Sequence, residues 1–189
     1  MGFGGGGAPG GVSVPFKDAA ELDAGGTAAF LRIVRGDPSR GALFQVNARG
    51  APVEFTYNRM DLPSAVLWRP QQLEREAAKA LAASLFEAAR RTPLVLLCLA
   101  AEVDAAMFTE DLEVQIPVCR VAVGDALPSA AGSERVESGE ETAHLFWRPA
   151  MPSAESPPRR LVAALTGRGL LLEPFERALA GFHEAFAGA

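Results

Sequence analysis

The chain has 189 residues, 49% of them hydrophobic, and a formal net charge of -5 at pH 7. This length suits one domain with a substantial core. The negative charge argues against nucleic acid or an anionic membrane as a partner, because both attract basic proteins. No apolar run approaches the ~20 residues that span a bilayer, and the N-terminus lacks the features of a secretory signal. We therefore expect a cytoplasmic protein with no membrane or nucleic-acid partner.

Residues 1–26 form the first of four predicted segments. The first eleven residues include seven glycines and almost nothing that could pack, which predicts a flexible arm that leads into a short element. A glycine loop that binds phosphate needs a strand before it and a helix after it, and neither is indicated. We predict no cofactor.

Residues 27–123 are predicted to form an α+β core that begins with three antiparallel strands. The first two are Phe30–Arg35 and Leu43–Asn47, and the third spans residues 53–58. In the third strand Val53, Phe55 and Tyr57 alternate with polar residues. A period of two predicts a sheet with one covered and one wetter face.

A long amphipathic helix and a buried central strand follow. Between Leu73 and Arg90, leucine and alanine recur at three- and four-residue spacing, which predicts a helix with one buried face. The run Leu94–Ala101 has no polar alternation, which is typical of a strand covered on both faces. Cys98 in this run and Cys119 in another apolar run have no metal-ligand spacing. We predict reduced core thiols because intracellular cysteines usually stay reduced, and a disulfide is the alternative.

The remaining segments complete the predicted domain. Val114–Val123 predicts a further strand, and Pro117 places it at a sheet edge or a bulge because proline donates no ladder hydrogen bond. Residues 124–141 are small, polar and acidic, and they predict a mobile loop. Residues 142–189 predict a strand and two helices, Arg159–Thr166 and one that begins near Pro174, packed on the core.

The element order β-β-β-α-β over Phe30–Val123 resembles the ribonuclease-H-like fold, in which three antiparallel strands and a helix precede a strand parallel to the first. For a nuclease of that fold, the resemblance implies an aspartate in the first strand and another acid after the fourth. The first strand here has no acid, whereas Glu102 and Asp104 follow the fourth. The missing carboxylate argues against metal-dependent cleavage.

The acids after the central strand are the densest group of potential metal ligands. They are Glu102, Asp104, Glu110, Asp111 and Glu113. Mg²⁺ prefers carboxylate oxygens that converge on one point, but the spacing matches no calcium loop, and a solvated acidic edge with a helix cap is the alternative. If a metal is bound, the candidate ligands are Glu102 and Asp104, with one of Asp37, Glu54 or Asp61.

Two other features are candidates for partner binding. The tripeptide Trp-Arg-Pro occurs twice and contains both tryptophans, and Trp and Arg are enriched in binding hot spots. The last predicted helix carries a stripe of Phe175, Leu179, Phe182 and Phe186, which would pack on the sheet or form a dimer contact. The candidate partner-binding residues are Trp68, Arg69, Trp147, Arg148, Phe182 and Phe186; a tryptophan that closes the core is the alternative.

Charge is distributed unevenly along the chain. Five arginines and two acids lie between Phe30 and Met60, whereas ten acids and two arginines lie between Glu102 and Glu141. A basic sheet and an acidic edge suit electrostatically guided association with a protein. We predict a non-catalytic protein-interaction module that forms homodimers. The alternative hypothesis is a metal-dependent phosphodiester hydrolase of ribonuclease-H-like layout that uses the acidic cluster.

Overall fold

A computed structural model describes residues 26–62, 69–124 and 133–187. The predicted N-terminal arm, apart from Gly26, and the candidate residue Trp68 therefore lie outside the described residues. None of the helices within these ranges is long and apolar enough to cross a membrane.

Seven strands and three α-helices make up the described fold. The strands are β1 (Ala28–Val34), β2 (Ser39–Val46), β3 (Pro52–Met60), β4 (Val95–Leu99), β5 (Val118–Val123), β6 (Ser133–Ser138) and β7 (Glu141–Arg148). The helices are α1 (Pro70–Ala88), α2 (Pro157–Gly167) and α3 (Glu173–Phe186), and a single 3-10 turn, Ala105–Phe108, follows β4. The predicted α+β class is confirmed, because the three N-terminal strands, the long helix, the central strand and the C-terminal helices all form.

All seven strands belong to one sheet with the order β3-β2-β1-β4-β5-β7-β6. β1, β4 and β5 run parallel, and the other neighbours are antiparallel. β5 is therefore an interior strand, where Pro117 led us to predict a sheet edge or a bulge. Pro117 is compatible with this position because it precedes the strand and contributes only its carbonyl, which accepts a hydrogen bond from the Leu96 amide at 3.0 Å.

The edges of the sheet are β3 and β6. β6 lies within the segment 124–141, for which we predicted a mobile loop. Its only apolar residue is Val136, so the alternation that indicates a strand is missing. β6 is ordered instead by its hydrogen bonds to β7, in a register that begins with Ser133 opposite Phe146 and ends with Ser138 opposite Glu141.

Helices cover the sheet on both faces. α1 packs on one face, where Leu31, Leu43 and Leu96 meet Leu81 and Leu85. α2 and α3 pack on the other face, and their residues Leu161, Leu165 and Phe175 contact Phe30 and Leu97. Residues Val95 to Cys98 are at most 1% exposed. The prediction of a central strand covered on both sides is confirmed, although the strand ends at Leu99 and the chain turns at residues 100–103.

The two cysteines should resist modification in the folded protein. Both thiols are free and buried, and they lie in the core layers on opposite faces of the sheet. Burial raises the pKa of the Cys98 thiol to about 12 and the pKa of Cys119 well above its ordinary value, so neither forms the reactive thiolate at neutral pH.

We therefore expect no labelling by iodoacetamide at pH 8 within an hour, and labelling of both cysteines when the same protein is unfolded in guanidinium chloride. Mass spectrometry distinguishes the two results. Fast labelling of the native protein would show that one of the covering helices opens on this timescale.

Candidate functional site

The parallel strands β1, β4 and β5 end together at one side of the sheet, which we call the carboxyl end. In open α/β sheets, ligands usually bind in the crevice outside this end of the strands. Glu102 lies in the turn that follows β4, Arg32 lies in the last half of β1, and Arg120 lies on β5. These three residues are therefore held by the most buried part of the fold.

Arg32 and Glu102 form a partly buried ion pair. Nε of Arg32 donates to both carboxylate oxygens, Oε1 at 2.8 Å and Oε2 at 2.9 Å, and its Nη2 donates to Oε1 at 2.5 Å. The Ile33 amide donates to Oε2 at 3.1 Å. Nη1 of Arg32 donates to the Phe175 carbonyl at 2.9 Å, so the pair also reaches α3. The two side chains are only 13% and 17% exposed.

Two further arginines bind the same turn through its backbone. Arg120 donates from Nε to the Val103 carbonyl at 3.0 Å and from Nη2 to the Ala100 carbonyl at 3.3 Å. Arg35 donates to the Glu102 carbonyl at 3.4 Å, and its side chain is 50% exposed. We call Arg32, Arg35 and Arg120 the arginine site. Only one of its three guanidinium groups is neutralised by Glu102.

The acids of the predicted metal cluster serve separate structural roles. Asp104 caps the 3-10 turn by accepting from the Ala106 amide at 2.9 Å. Asp111 accepts from Arg75 at 2.7 and 2.9 Å, and Glu110 accepts from Arg75 at 3.1 Å. The hydrogen bond from Arg75 lowers the pKa of Asp111. Across the three described ranges, no group of three or more His, Cys, Asp or Glu side chains could hold a metal ion.

The acids of the first three strands do not complete the cluster. Glu54 accepts from the Arg90 and Arg91 amides at 2.7 and 3.2 Å, beyond the end of α1. Asp37 accepts from the Leu62 amide at 3.5 Å, in the turn between β1 and β2. Asp61 is exposed just after β3.

The residues at the carboxyl end do not fit the divalent cation that a ribonuclease-H-like layout implies. Such an ion needs free carboxylate oxygens, but both oxygens of Glu102 already accept hydrogen bonds from Arg32. The permanent positive charge of a guanidinium group also repels a cation.

Sequence reasoning located Glu102 correctly after the fourth strand and missed Arg32. The available signal was an arginine between apolar neighbours in a strand, since a charge there needs a partner.

The candidate partner-binding residues are distributed between the core and the surface. Trp147 is 4% exposed and Phe182 is 2% exposed, so both belong to the core. The guanidinium of Arg159 lies 5.5 Å from the Trp147 ring centroid and shields it. Arg69 and Arg148 are exposed, and Phe186 is partly buried against Tyr57.

The sheet order, the parallel β1, β4 and β5, and helices on both faces define a ribonuclease-H-like fold, as the element order suggested. Solved structures of endonuclease V are similar to it. The Bacillus subtilis enzyme matches with a TM-score of 0.50 and 12% identity over 84% of this chain and 79% of its own. Human ENDOV matches with a TM-score of 0.51 and 11% identity over 85% of both chains.

A third similar structure contains nucleic acid. Ciona intestinalis endonuclease V, in complex with a 24mer DNA containing an inosine followed by a ribo-adenosine, matches with a TM-score of 0.51 and 10% identity over 85% of this chain and 87% of its own. No family model matches the sequence, and no curated protein matches it either. At identities of 10–12%, these matches show the fold of this chain and nothing further.

These neighbours overturn three of our predictions. They are nucleases, which contradicts a non-catalytic protein-interaction module and a homodimer that acts through protein binding. One of them was solved with DNA, which contradicts the prediction that nucleic acid is not a partner. The prediction failed because net charge is a sum over the whole chain, whereas binding depends on the local field where the basic residues collect. The alternative hypothesis of a ribonuclease-H-like hydrolase agrees better with these neighbours.

Proposed function

We propose that this protein binds nucleic acid at the carboxyl end of its sheet. The observation that carries the proposal is the arginine site, where three guanidinium groups donate to the turn after β4, which carries the carboxylate of Glu102. Arginine is suited to phosphate because its planar fork donates two parallel hydrogen bonds. The fold shared with endonuclease V, one of whose structures contains DNA, supports nucleic acid as the source of that phosphate.

The three arginines have different parts in this proposal. Arg32 is held by Glu102, which offsets its charge, and Arg120 is held by the carbonyls of Ala100 and Val103, so both side chains are fixed in place. Arg35 is half exposed, and among the residues that the structure describes the only carboxylate within 4.0 Å of its guanidinium is Glu74, at 3.8 Å, which is also partly exposed. An exposed pair at this distance is weak. Arg35 is therefore the residue that can exchange its present contact for a phosphate.

Fluorescence anisotropy with labelled single-stranded and duplex DNA of about 20 nucleotides tests the proposal. The wild-type protein is expected to bind, and if three phosphates are contacted its affinity should fall between 50 and 200 mM salt by about 40-fold for the duplex and about 20-fold for the single strand. Replacing Arg35 by glutamate should weaken binding about tenfold at the lower salt concentration.

Arg148→Glu is the matched control. It makes the same change of net charge at an exposed arginine, but Arg148 pairs with Val118, at the start of β5 and the opposite end of the sheet. Its effect is expected to stay below about twofold because charges this far apart are screened. Equal losses for the two variants, or no binding by the wild-type protein at 50 mM salt, would overturn the proposal.

Phosphodiester hydrolysis is a second candidate, favoured by the match to 79–87% of the length of the endonuclease V chains. In the described part of the chain, no group of three potential ligands includes Glu102, so no hydrolytic step can be assigned to it. Incubation with DNA or RNA and Mg²⁺ or Mn²⁺ under saturating binding tests this candidate. Cleavage that Glu102→Gln abolishes in a folded variant would support it. The absence of cleavage under these conditions would remove it.

A further inference from the structure

An aromatic surface lies at the edge of the sheet, on the face that carries α3. Tyr57 and Phe55 of the edge strand β3 are 48% and 36% exposed, an unusual position for large rings. Phe186, in the last turn of α3, contacts Tyr57 with ring centroids 5.4 Å apart. We call Phe55, Tyr57 and Phe186 the aromatic surface. Its rings are held by contacts with one another and with Phe44 beneath them.

Strand register connects the aromatic surface to Arg32. Arg32 pairs with Ala42, which in turn pairs with Tyr57, and residues paired directly across strands point to the same face. Tyr57 is therefore two strands from Arg32 on the face that carries α3, a distance of about 10 Å. Both residues lie in the same row of the sheet, but Ala42 between them is fully buried, because α3 runs from Phe175, which accepts from Arg32, to Phe186, which contacts Tyr57. The positive charge that a ligand on Tyr57 could reach therefore has to come from another row.

The next row of the register adds positive charge. Val34 pairs with Arg40 and Arg40 with Arg59, which places the two arginines side by side. The Arg40 guanidinium lies 5.8 Å from the Phe186 ring centroid. Within the described part of the chain, no carboxylate lies within 4.0 Å of either guanidinium group. The nearest acids along the chain, Asp37 and Asp61, belong to the loops before β2 and after β3.

We propose that the aromatic surface, with Arg40 and Arg59, binds single-stranded nucleic acid by stacking a base on Tyr57. This inference rests on the proposed function and names its substrate class. Every base has a flat π-face, so an exposed ring beside positive charge suits any sequence. A duplex keeps its bases stacked inside and offers the ring only its backbone. A purely apolar partner would gain nothing from Arg40 and Arg59.

The first test uses the affinity of Tyr57 variants. Tyr57→Ala is expected to weaken binding of a single-stranded DNA of about 12 nucleotides roughly tenfold, because one stacked base is lost. Tyr57→Phe keeps the ring and should bind within about twofold of the wild-type protein. Duplex DNA should bind both variants alike. RNA of the same sequence, titrated in parallel, should show the same dependence on Tyr57 because stacking does not require the 2′-hydroxyl.

A spectroscopic readout is available because Tyr57 is the only tyrosine of the chain. Protein that contains 3-fluorotyrosine gives a single ¹⁹F resonance, which single-stranded DNA should shift and duplex DNA should leave in place. Sedimentation without DNA shows whether Tyr57→Ala changes the association state, as it would if a second copy of the chain covered this surface. Such a change would overturn the inference.

The outcomes separate this inference from the proposed function. If the wild-type protein binds DNA and Arg35→Glu weakens binding, but Tyr57→Ala has no effect and the ¹⁹F resonance does not move, the inference fails and the proposed function stands. Equal weakening of single-stranded and duplex binding by Tyr57→Ala would also overturn stacking. If no nucleic acid binds at low salt, both proposals fail.

Discussion

Replacing Arg32 by methionine is expected to lower the free energy of unfolding by about 3 kcal/mol. The substitution leaves Glu102 in a site where its side chain is 17% exposed and where Arg32 supplied three of its hydrogen bonds. It also removes the donor to the Phe175 carbonyl. For a domain of this size the loss corresponds to a fall in Tm of about 6–12 °C, measured by thermal unfolding.

Two controls separate the buried pair from general effects of charge. Arg35→Met removes an exposed arginine whose ion pair with Glu74 spans 3.8 Å, and it should change stability by less than about 0.5 kcal/mol. The double variant Arg32→Met, Glu102→Gln removes the unpaired charge and should recover about half of the loss. A loss below about 1 kcal/mol for Arg32→Met would show that the pair is no stronger than a surface ion pair.

The Arg32–Glu102 pair also explains how the carboxyl end of the sheet is made rigid. Arg32 belongs to β1, Glu102 follows β4, and the carbonyl that Arg32 reaches belongs to the first turn of α3. One side chain therefore fixes the relative positions of three elements. Binding sites built on such elements lose less conformational entropy when a ligand arrives. If phosphate binds at this end of the sheet as proposed, the same contacts would keep the turn after β4 in place.

The parts of the fold that follow from local periodicity could be predicted from the sequence. β2, β3 and α1 each carry a clear repeat of apolar residues, whereas β4 is an unbroken apolar run and β1 is apolar apart from Arg32. The cover on both faces of Leu96 and Leu97 follows from the unbroken run. β6 could not be predicted because an edge strand with one apolar residue has no such repeat. Its order depends on pairing with β7, which is a tertiary effect.

The candidate site depends on contacts between distant parts of the chain. Glu102 was identified from its position after the fourth strand, but its partner Arg32 lies 70 residues away, and no local pattern indicates that pairing. The net charge gave a false expectation for the same reason. Arg40 and Arg59 are far apart along the chain and become neighbours only through the register of β2 and β3.

Phe175→Ala is expected to cause the largest loss of stability, about 4 kcal/mol. The ring is 2% exposed and meets Phe30 edge to face with centroids 4.9 Å apart, so truncation leaves a cavity between α3 and β1. Phe186→Ala is the matched control on the same helix. Because Phe186 is only partly buried, its loss should stay below about 1.5 kcal/mol. Urea unfolding monitored by circular dichroism measures both, and equal losses would contradict the assigned packing.

The Phe175 and Arg32 substitutions should also be coupled. The Phe175 carbonyl accepts from Arg32, so a shift of α3 into the cavity left by Phe175→Ala weakens a contact that Arg32→Met removes. The loss in the double variant should therefore be smaller than the sum of the two single losses by at least about 0.5 kcal/mol. Strict additivity would mean that α3 keeps its place without the ring, and that Arg32 holds the turn after β4 independently of the helix. In that case, the rigidity of the carboxyl end would depend on the sheet alone.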